Sequence, residues 1–251
     1  MDEKLISKTV ADKRVNYNFI INNKINCFSA MPENKPNKIV IYVHGLGSKK
    51  IMISRFYNEL LDDNIGVIAF DLPCHGEDKT SFSTFGLNIC LTYFEEVINY
   101  VKSKYHLPIY LFGCSYGGFV ILNRLIRKNS DIKKTILMCP AVNFCDILED
   151  RAKMSLTYFK TNEFMNLYRD VNIYKDAYIE FKKGNNNIKN ASFKNVYIIH
   201  GTDDPTVNYN DVKNFCDQKG IKLKTIPNGK HELYGYEKAI TDYLIKIVNE
   251  G

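Results

Sequence analysis

A chain of 251 residues, 45% hydrophobic and 25% charged, has the composition of a soluble globular protein and the length of one α/β domain. Its formal charge of +6 comes from lysines scattered among acidic residues, with no dense basic block and no groove-reading motif, which argues against nucleic acid as a partner. Seven cysteines, an odd number without a C-x-x-C pair, suggest neither a disulfide framework nor a metal site. Cys90, Cys114 and Cys139 sit in apolar segments, as reduced thiols of a cytoplasmic protein do. The stretch 1–8 lacks the apolar centre of a signal peptide, and no apolar run is long enough to span a bilayer, so no stable membrane insertion is expected.

Residues 4–31 read as an antiparallel opening, with partial alternation over 15–21, a hairpin-type turn at Asn22-Asn23 and a second strand from Ile25. After a polar loop, 39–43 is an uninterrupted apolar strand that runs into His44-Gly45-Leu46-Gly47-Ser48. A short helix is predicted over 54–61. The next buried strand, 66–70, leads to the turn-rich Asp71-Leu72-Pro73-Cys74-His75-Gly76. A long amphipathic helix follows over 86–105, then a strand at 107–112 and a helix-periodic stretch at 119–127. A strand at 135–139 stops at Pro140. The segment 143–190 then breaks the rhythm: it is helix-leaning and aromatic, carries no strand pattern, and holds a predicted hinge at Gly184-Asn185-Asn186-Asn187. Alternation resumes with a strand at 196–201, a helix at 210–218, a strand at 221–226 and a closing helix at 236–248.

Strands that are apolar on both faces and alternate with helices imply a mostly parallel, doubly wound sheet, so the expected class is α/β with antiparallel N-terminal strands. Ligands of such sheets bind beyond the carboxyl ends of the strands. His44, Ser115 and Asp204 all fall just past predicted strand ends, which puts the candidate chemistry on one edge.

Gly113-Cys114-Ser115-Tyr116-Gly117-Gly118 is a G-x-S-x-G pattern between a strand and a helix, the setting of a nucleophile elbow. A serine hydroxyl needs a base, and the base needs an orienting group. Of the five histidines, His44 and His75 lie in glycine-flanked turns, His106 ends a helix and His200 closes a strand; structural roles are expected for His44, His75 and His200. His231, in the loop after the last strand, projects onto the edge that carries Ser115 and is the predicted base. The acid is read as Asp204, with the neighbouring Asp203 not separable by spacing and Asp146 a third candidate. The order Ser115, Asp204, His231 is that of α/β-hydrolases. An oxyanion hole needs two backbone N–H groups, for which Tyr116 and Leu46 are best placed.

These segments together resemble the α/β-hydrolase superfamily. Within it the chain is most similar to the group of carboxylesterases, monoacylglycerol lipases and cinnamoyl (feruloyl) esterases, often labelled serine aminopeptidase-like. The resemblance covers nearly the whole chain apart from 143–190. It rests on His44-Gly45-Leu46-Gly47-Ser48, Asp71 to Gly76, the elbow, His200-Gly201-Thr202-Asp203-Asp204-Pro205-Thr206-Val207, and Gly229-Lys230-His231. The group's H-G-x-x-D-x-x-V pattern puts the acid on Asp204, and its oxyanion donors fall on Leu46 and Tyr116. Two residues depart from the pattern, Cys74 and Cys114; Cys114 is expected to point into the sheet, away from substrate.

The resemblance implies one α/β-hydrolase domain over 1–251, with 143–190 as a helical cap in which Phe159 and Tyr168 are expected to touch substrate. It implies a serine hydrolase that cleaves carboxylic esters of small to medium acyl or aryl groups through an acyl-enzyme, without metal or organic cofactor. The alternative is an acyltransferase or thioesterase with the same triad, ahead of an amidase, an aminopeptidase or a non-catalytic binding protein. A small-molecule ester is the expected partner, with self-association into a homodimer left open.

Overall fold

The computed structural model describes residues 1–11, 14–128, 131–168 and 171–250, with the side chains of 11 and 168 outside that description. Nine strands form one sheet. Three antiparallel strands open it, β1 (Glu3–Ala11), β2 (Arg14–Ile21) and β3 (Ile25–Pro32). The parallel part comprises β4 (Lys38–Val43), β5 (Ile65–Phe70), β6 (Ile109–Cys114), β7 (Thr135–Met138), β10 (Val196–Gly201) and β11 (Lys222–Ile226). The order across the sheet is β1-β2-β3-β5-β4-β6-β7-β10-β11, with β3 antiparallel to β5 and every later pairing parallel.

Burial on both faces explains why the central strands are continuous apolar runs. Along β4, Ile39, Ile41 and Val43 belong to the core on one face and Val40 and Tyr42 to the core on the other, the two-residue period of a strand. The first face is covered by α2 (Leu87–Tyr105), α3 (Tyr116–Arg127) and α6 (Tyr209–Lys219). The second is covered by α1 (Tyr57–Asp62), through Leu60 and Leu61, and by α7 (Glu237–Asn249), through Ile240, Leu244, Ile247 and Val248. Each such side chain removed from water contributes about 1.5–3 kcal/mol. The predicted helix at 54–61 is in fact a 3-10 helix, Lys50–Arg55, followed by α1.

The segment 143–190 departs from expectation in two ways. It begins with α4 (Phe144–Ala152) and ends with α5 (Lys175–Asn190), but between them β8 (Phe164–Tyr168) and β9 (Val171–Tyr174) pair as a hairpin, Met165 opposite Ile173 and Asn166 opposite Asn172. Strands of five and four residues carry too little periodicity to be read from sequence; the pairing is fixed by burying Met165, Val171 and Ile173. The predicted hinge at Gly184 is also corrected, because it lies within α5. A Cβ there would press on Leu87 and Phe119, so the glycine lets α5 approach α2 and α3 closely. Asn185 is buried beside it and accepts the Cys145 backbone N–H at 3.1 Å. Glu180 of α5 accepts the Asn88 N–H at 2.8 Å, satisfying a donor in the first turn of α2. No helix among the described residues is long and apolar enough to cross a membrane.

Candidate active site

The turn between β6 and α3 forces Ser115 into φ 51°, ψ −118°, a conformation that costs a non-glycine residue of order 1–3 kcal/mol. Neighbouring main chain holds it there. Ser115 N–H donates to the Met138 carbonyl at 3.0 Å, and its own carbonyl accepts from Gly118 N–H at 2.9 Å and Ala141 N–H at 3.1 Å. Gly117 is required because any Cβ there would strike the Val43 carbonyl at the end of β4. The strain therefore sits where the end of β4, the residues at and after the end of β7 and the first turn of α3 over-determine the backbone.

The loops after β10 and β11 bring the other two groups to the same edge. They touch main chain to main chain: Asp203 N–H donates to the Gly229 carbonyl at 3.0 Å, and Thr202 N–H to the Ile226 carbonyl at 3.0 Å. A Cβ on Gly201 would run into the backbone of Gly229. The His231 loop is further held by Arg55, whose guanidinium donates to the Glu232 carbonyl at 3.0 Å and the Glu237 carboxylate at 2.7 Å and lies 4.2 Å from the Tyr234 ring centre. On this frame Ser115 Oγ lies 2.9 Å from His231 Nε2, and His231 Nδ1 lies 2.7 Å from Asp204 Oδ2. A carboxylate facing Nδ1 assigns the ring proton to that nitrogen, so Nε2 accepts the serine O–H.

Asp204 is buried, and burial alone would raise its pKa. Hydrogen bonds from His200, His231 and the Val207 backbone outweigh that and hold the carboxyl well below the usual range. Its Oδ1 accepts the Thr206 and Val207 N–H groups at 2.7 and 2.9 Å, as an Asx turn does. The carboxylate is thus fixed in place and in charge, the two properties an orienting acid needs. Asp203, by contrast, accepts the Thr202 hydroxyl at 2.8 Å and serves its own loop. Asp146 is bound to Asn185 at 3.0 Å and Lys189 at 3.1 Å, so it joins α4 to α5.

Leu46 sits in the loop after β4. The preceding Gly45 lies so close that a Cβ on it would be 3.2 Å from Ser115 Cβ, which puts this loop directly over the hydroxyl. Tyr116 is the first residue of α3, where backbone N–H groups lack partners within the helix. His44 fixes the loop: its Nδ1 donates to the Gly45 carbonyl at 2.7 Å and its Nε2 accepts Leu72 N–H at 2.9 Å. Burial, with a smaller contribution from His75, lowers its pKa to about 3, so the ring stays neutral. His75 donates from Nδ1 to the Pro73 carbonyl at 2.8 Å and is likewise lowered by burial.

Two cavities flank Ser115, sharing Leu46, His231 and Glu232 as walls. The larger, about 680 Å³, is lined mainly by apolar groups of α4 and the hairpin, including Phe144, Ile147, Leu148, Met165 and Leu167. The smaller, about 410 Å³, is bordered by Lys49, Arg55, Glu232 and Tyr234. Both fall in the range of small-molecule sites. Phe159, expected at substrate, lines neither; it is buried against Tyr158 and Tyr178, with ring centres 5.4 and 5.7 Å away, because the 3-10 turn that carries it packs on α5. Tyr168 ends β8, and its side chain lies outside the described residues. Cys114 is buried on the Tyr42 side of the sheet, yet it also forms part of the floor of the smaller cavity, so it does not point wholly away from the site. Burial pushes its thiol up to about 12, which leaves it a poor nucleophile.

Sequence reasoning missed the surroundings of Asp204. His200 Nε2 lies 3.2 Å from its Oδ2, and Cys139 Sγ belongs to the same cluster, all three donor atoms within 4.8 Å of one another. The H-G-x-x-D spacing contained the signal, since it puts His200 four residues before the acid. As a metal-ligand set the cluster fits poorly: the Asp204 oxygen is already engaged by two imidazoles, and the thiol is held protonated by burial and by the adjacent carboxylate.

A family model described as serine aminopeptidase, S33 matches residues 34–169, the stretch that holds Leu46 and Ser115. Among curated proteins, protein phosphatase methylesterase 1 of Candida albicans is 31% identical over 126 residues, which is 50% of this chain and 33% of that protein. The chain thus matches about a third of that relative's length. Among solved structures, Est1E from Butyrivibrio proteoclasticus with bound ferulic acid gives a TM-score of 0.78 at 20% identity, covering 91% of this chain and 98% of that one. The monoacylglycerol lipase of Paleococcus ferrophilus gives 0.65 at 16% identity, covering 85% and 96%. These two likenesses are to the fold.

Proposed function

The chain belongs to the serine aminopeptidase S33 family of α/β-hydrolases, and on that premise we propose that it is a serine hydrolase cleaving carboxylic esters of small to medium acyl or aryl acids. One observation carries the reading: the unbroken path from Ser115 Oγ to His231 at 2.9 Å and from His231 to a buried, ionised Asp204 at 2.7 Å. In the first half-reaction Ser115 Oγ attacks the ester carbonyl while its proton passes to His231 Nε2. The tetrahedral oxyanion receives the N–H groups of Leu46 and Tyr116. Collapse breaks the bond to the alcohol, which leaves with the proton from His231. In the second half-reaction His231 takes a proton from water, hydroxide attacks the acyl carbonyl, and the acid departs as Ser115 regains its proton. Asp204 stays ionised throughout and holds His231 in the tautomer that accepts at Nε2.

The substrate side of the proposal rests on the larger cavity. Its apolar lining suits the acyl or aryl part, and the segment 143–190 that supplies most of it acts as a cap on a single domain. The relatives include a protein phosphatase methylesterase, Est1E with bound ferulic acid and a monoacylglycerol lipase, which supports an ester substrate with an acyl or aryl acid part. Treatment with a fluorophosphonate probe, together with a panel of nitrophenyl esters, tests the reading. Labelling and turnover in the wild-type chain and loss of both in Ser115→Ala are expected. Turnover that survives in Ser115→Ala, or acyl-thioesters hydrolysed well while oxygen esters are not, would overturn it.

A further inference from the structure

Asp204 carries more hydrogen bonds than an orienting acid requires. Its Oδ1 is filled by two backbone N–H groups, and His231 occupies Oδ2. On that same Oδ2 lies His200 Nε2, 3.2 Å away, with both side chains at 0% exposure. His200 Nε2 also faces the Val207 carbonyl at 3.0 Å. Two acceptors and no donor face this nitrogen, so it carries the ring proton and shares it between carboxylate and carbonyl. His200 Nδ1 is buried and finds no hydrogen-bond partner among the described residues. His44, by contrast, engages both nitrogens with backbone groups, and His75, whose Nε2 also lacks a partner among the described residues, spends Nδ1 on the Pro73 carbonyl and not on a carboxylate. His200 is held by one nitrogen, and that nitrogen is spent on the acid and on the loop that carries it.

The other groups around the carboxylate do not duplicate this contact. His231 approaches from the loop after β11, and Cys139, from the end of β7, offers the carboxylate only the weak donor of a protonated thiol. From α6 the Tyr209 ring lies 6.2 Å from the His200 ring. His200 is therefore the one side chain besides His231 that gives Asp204 a nitrogen-borne proton among the described residues.

We propose that His200 is a positioning residue for the triad: its Nε2–H fixes the Asp204 carboxylate and takes a share of its negative charge, so that His231 meets one fixed oxygen rather than the whole charge of a loose acid. This rests on the assignment of Ser115, His231 and Asp204 made above. Removing the donor leaves the full carboxylate charge on His231 and strengthens its hold on a second proton, so the low-pH limb of activity moves to higher pH.

The test compares His200→Gln, which keeps an N–H donor, with His200→Leu, which does not, in the full-length chain with folding checked by thermal melting. Two measurements are made on each: kcat and KM for a nitrophenyl ester across pH, and the downfield proton resonance of His231 Nδ1–H. In His200→Leu, kcat/KM is expected to fall about tenfold, mainly through kcat, with the acid limb moved up and the Nδ1–H resonance displaced. His200→Gln is expected to stay within about threefold of wild type, with the limb in place. Equal losses in the two variants, or an unmoved limb and resonance in His200→Leu, would overturn the proposal. Should the leucine variant fail to fold, His200→Phe supplies the donor-free side chain. The resonance needs no turnover, which separates the two ideas: an inert wild type whose resonance still responds to His200→Leu sinks the ester reading and leaves the positioning role standing.

Discussion

The carboxyl edge of the sheet and the segment 143–190 meet at Ser115, but they are held by different forces. At the edge, main chain binds main chain: Ser115 to Met138 and Ala141, Asp203 to Gly229, Thr202 to Ile226. Side chains then lock onto that frame, as His44 does to Leu72 and Arg55 to Glu232. In the segment 143–190, side chains do the holding. The Phe144 ring lies 4.7 Å from Tyr116, 5.3 Å from Phe119 and 5.1 Å from Phe181, joining α4, α3 and α5 in one aromatic cluster. Directional bonds fix atoms to within a few tenths of an ångström, which reacting groups need. Packing fixes shape and volume, which is what the wall of a pocket needs. The division follows from the chemistry asked of each region.

Substitutions should separate the two regions. The largest effect is expected from Asp204→Asn, a loss of roughly 10³–10⁴ in kcat/KM, while Asp203→Asn stays within about threefold; steady-state kinetics on one ester check both. Comparable losses in the two would mean that the loop, and not the 2.7 Å contact, matters. Phe144→Ala should cost about 3–5 kcal/mol of folding stability by removing the centre of the aromatic cluster, measured by urea unfolding. A loss below about 1 kcal/mol would show the segment 143–190 to be held in some other way.

A third expectation concerns the edge itself. His44 is lowered to about 3 from an ordinary 6.5, first by burial. As pH falls through that window the unfolded chain binds a proton that the folded chain refuses, so stability must fall with pH. The loss attributable to His44 is about 2–3 kcal/mol by pH 4.5. His44→Gln, which cannot titrate, should show a shallower decline between pH 7 and 4.5 than the wild type. The smallest effect is on selectivity. Ile147→Trp projects into the larger cavity alone and should lower kcat/KM for bulky acyl or aryl esters about tenfold, leaving acetyl esters within about twofold.

The same contrast explains what could be read from the sequence. Strands buried on both faces gave unbroken apolar runs, and the loops beyond them carry glycines and histidines at spacings that backbone geometry dictates. That Ser115, His231 and Asp204 come to one edge was legible for that reason. The hairpin β8–β9 was not, because eight paired residues acquire their strand character from the surfaces that bury Met165 and Ile173. Phe159 was misjudged because composition cannot say which aromatic of a packed segment faces inward and which faces a cavity. The role of His200 lay hidden for a different reason: its partner is set by a loop that folds back from Gly201 to Val207, and spacing alone does not give the direction of a ring nitrogen.

The central claim is that Ser115 carries the acyl group during turnover. Acid quenching during hydrolysis of a nitrophenyl ester, followed by intact-mass and peptide measurement, tests it most directly. The account predicts a mass increase equal to one acyl group, located on the peptide that holds Ser115, with a matching burst of nitrophenolate, and neither in Ser115→Ala. Turnover without a covalent adduct, or an adduct on Cys114, would contradict it.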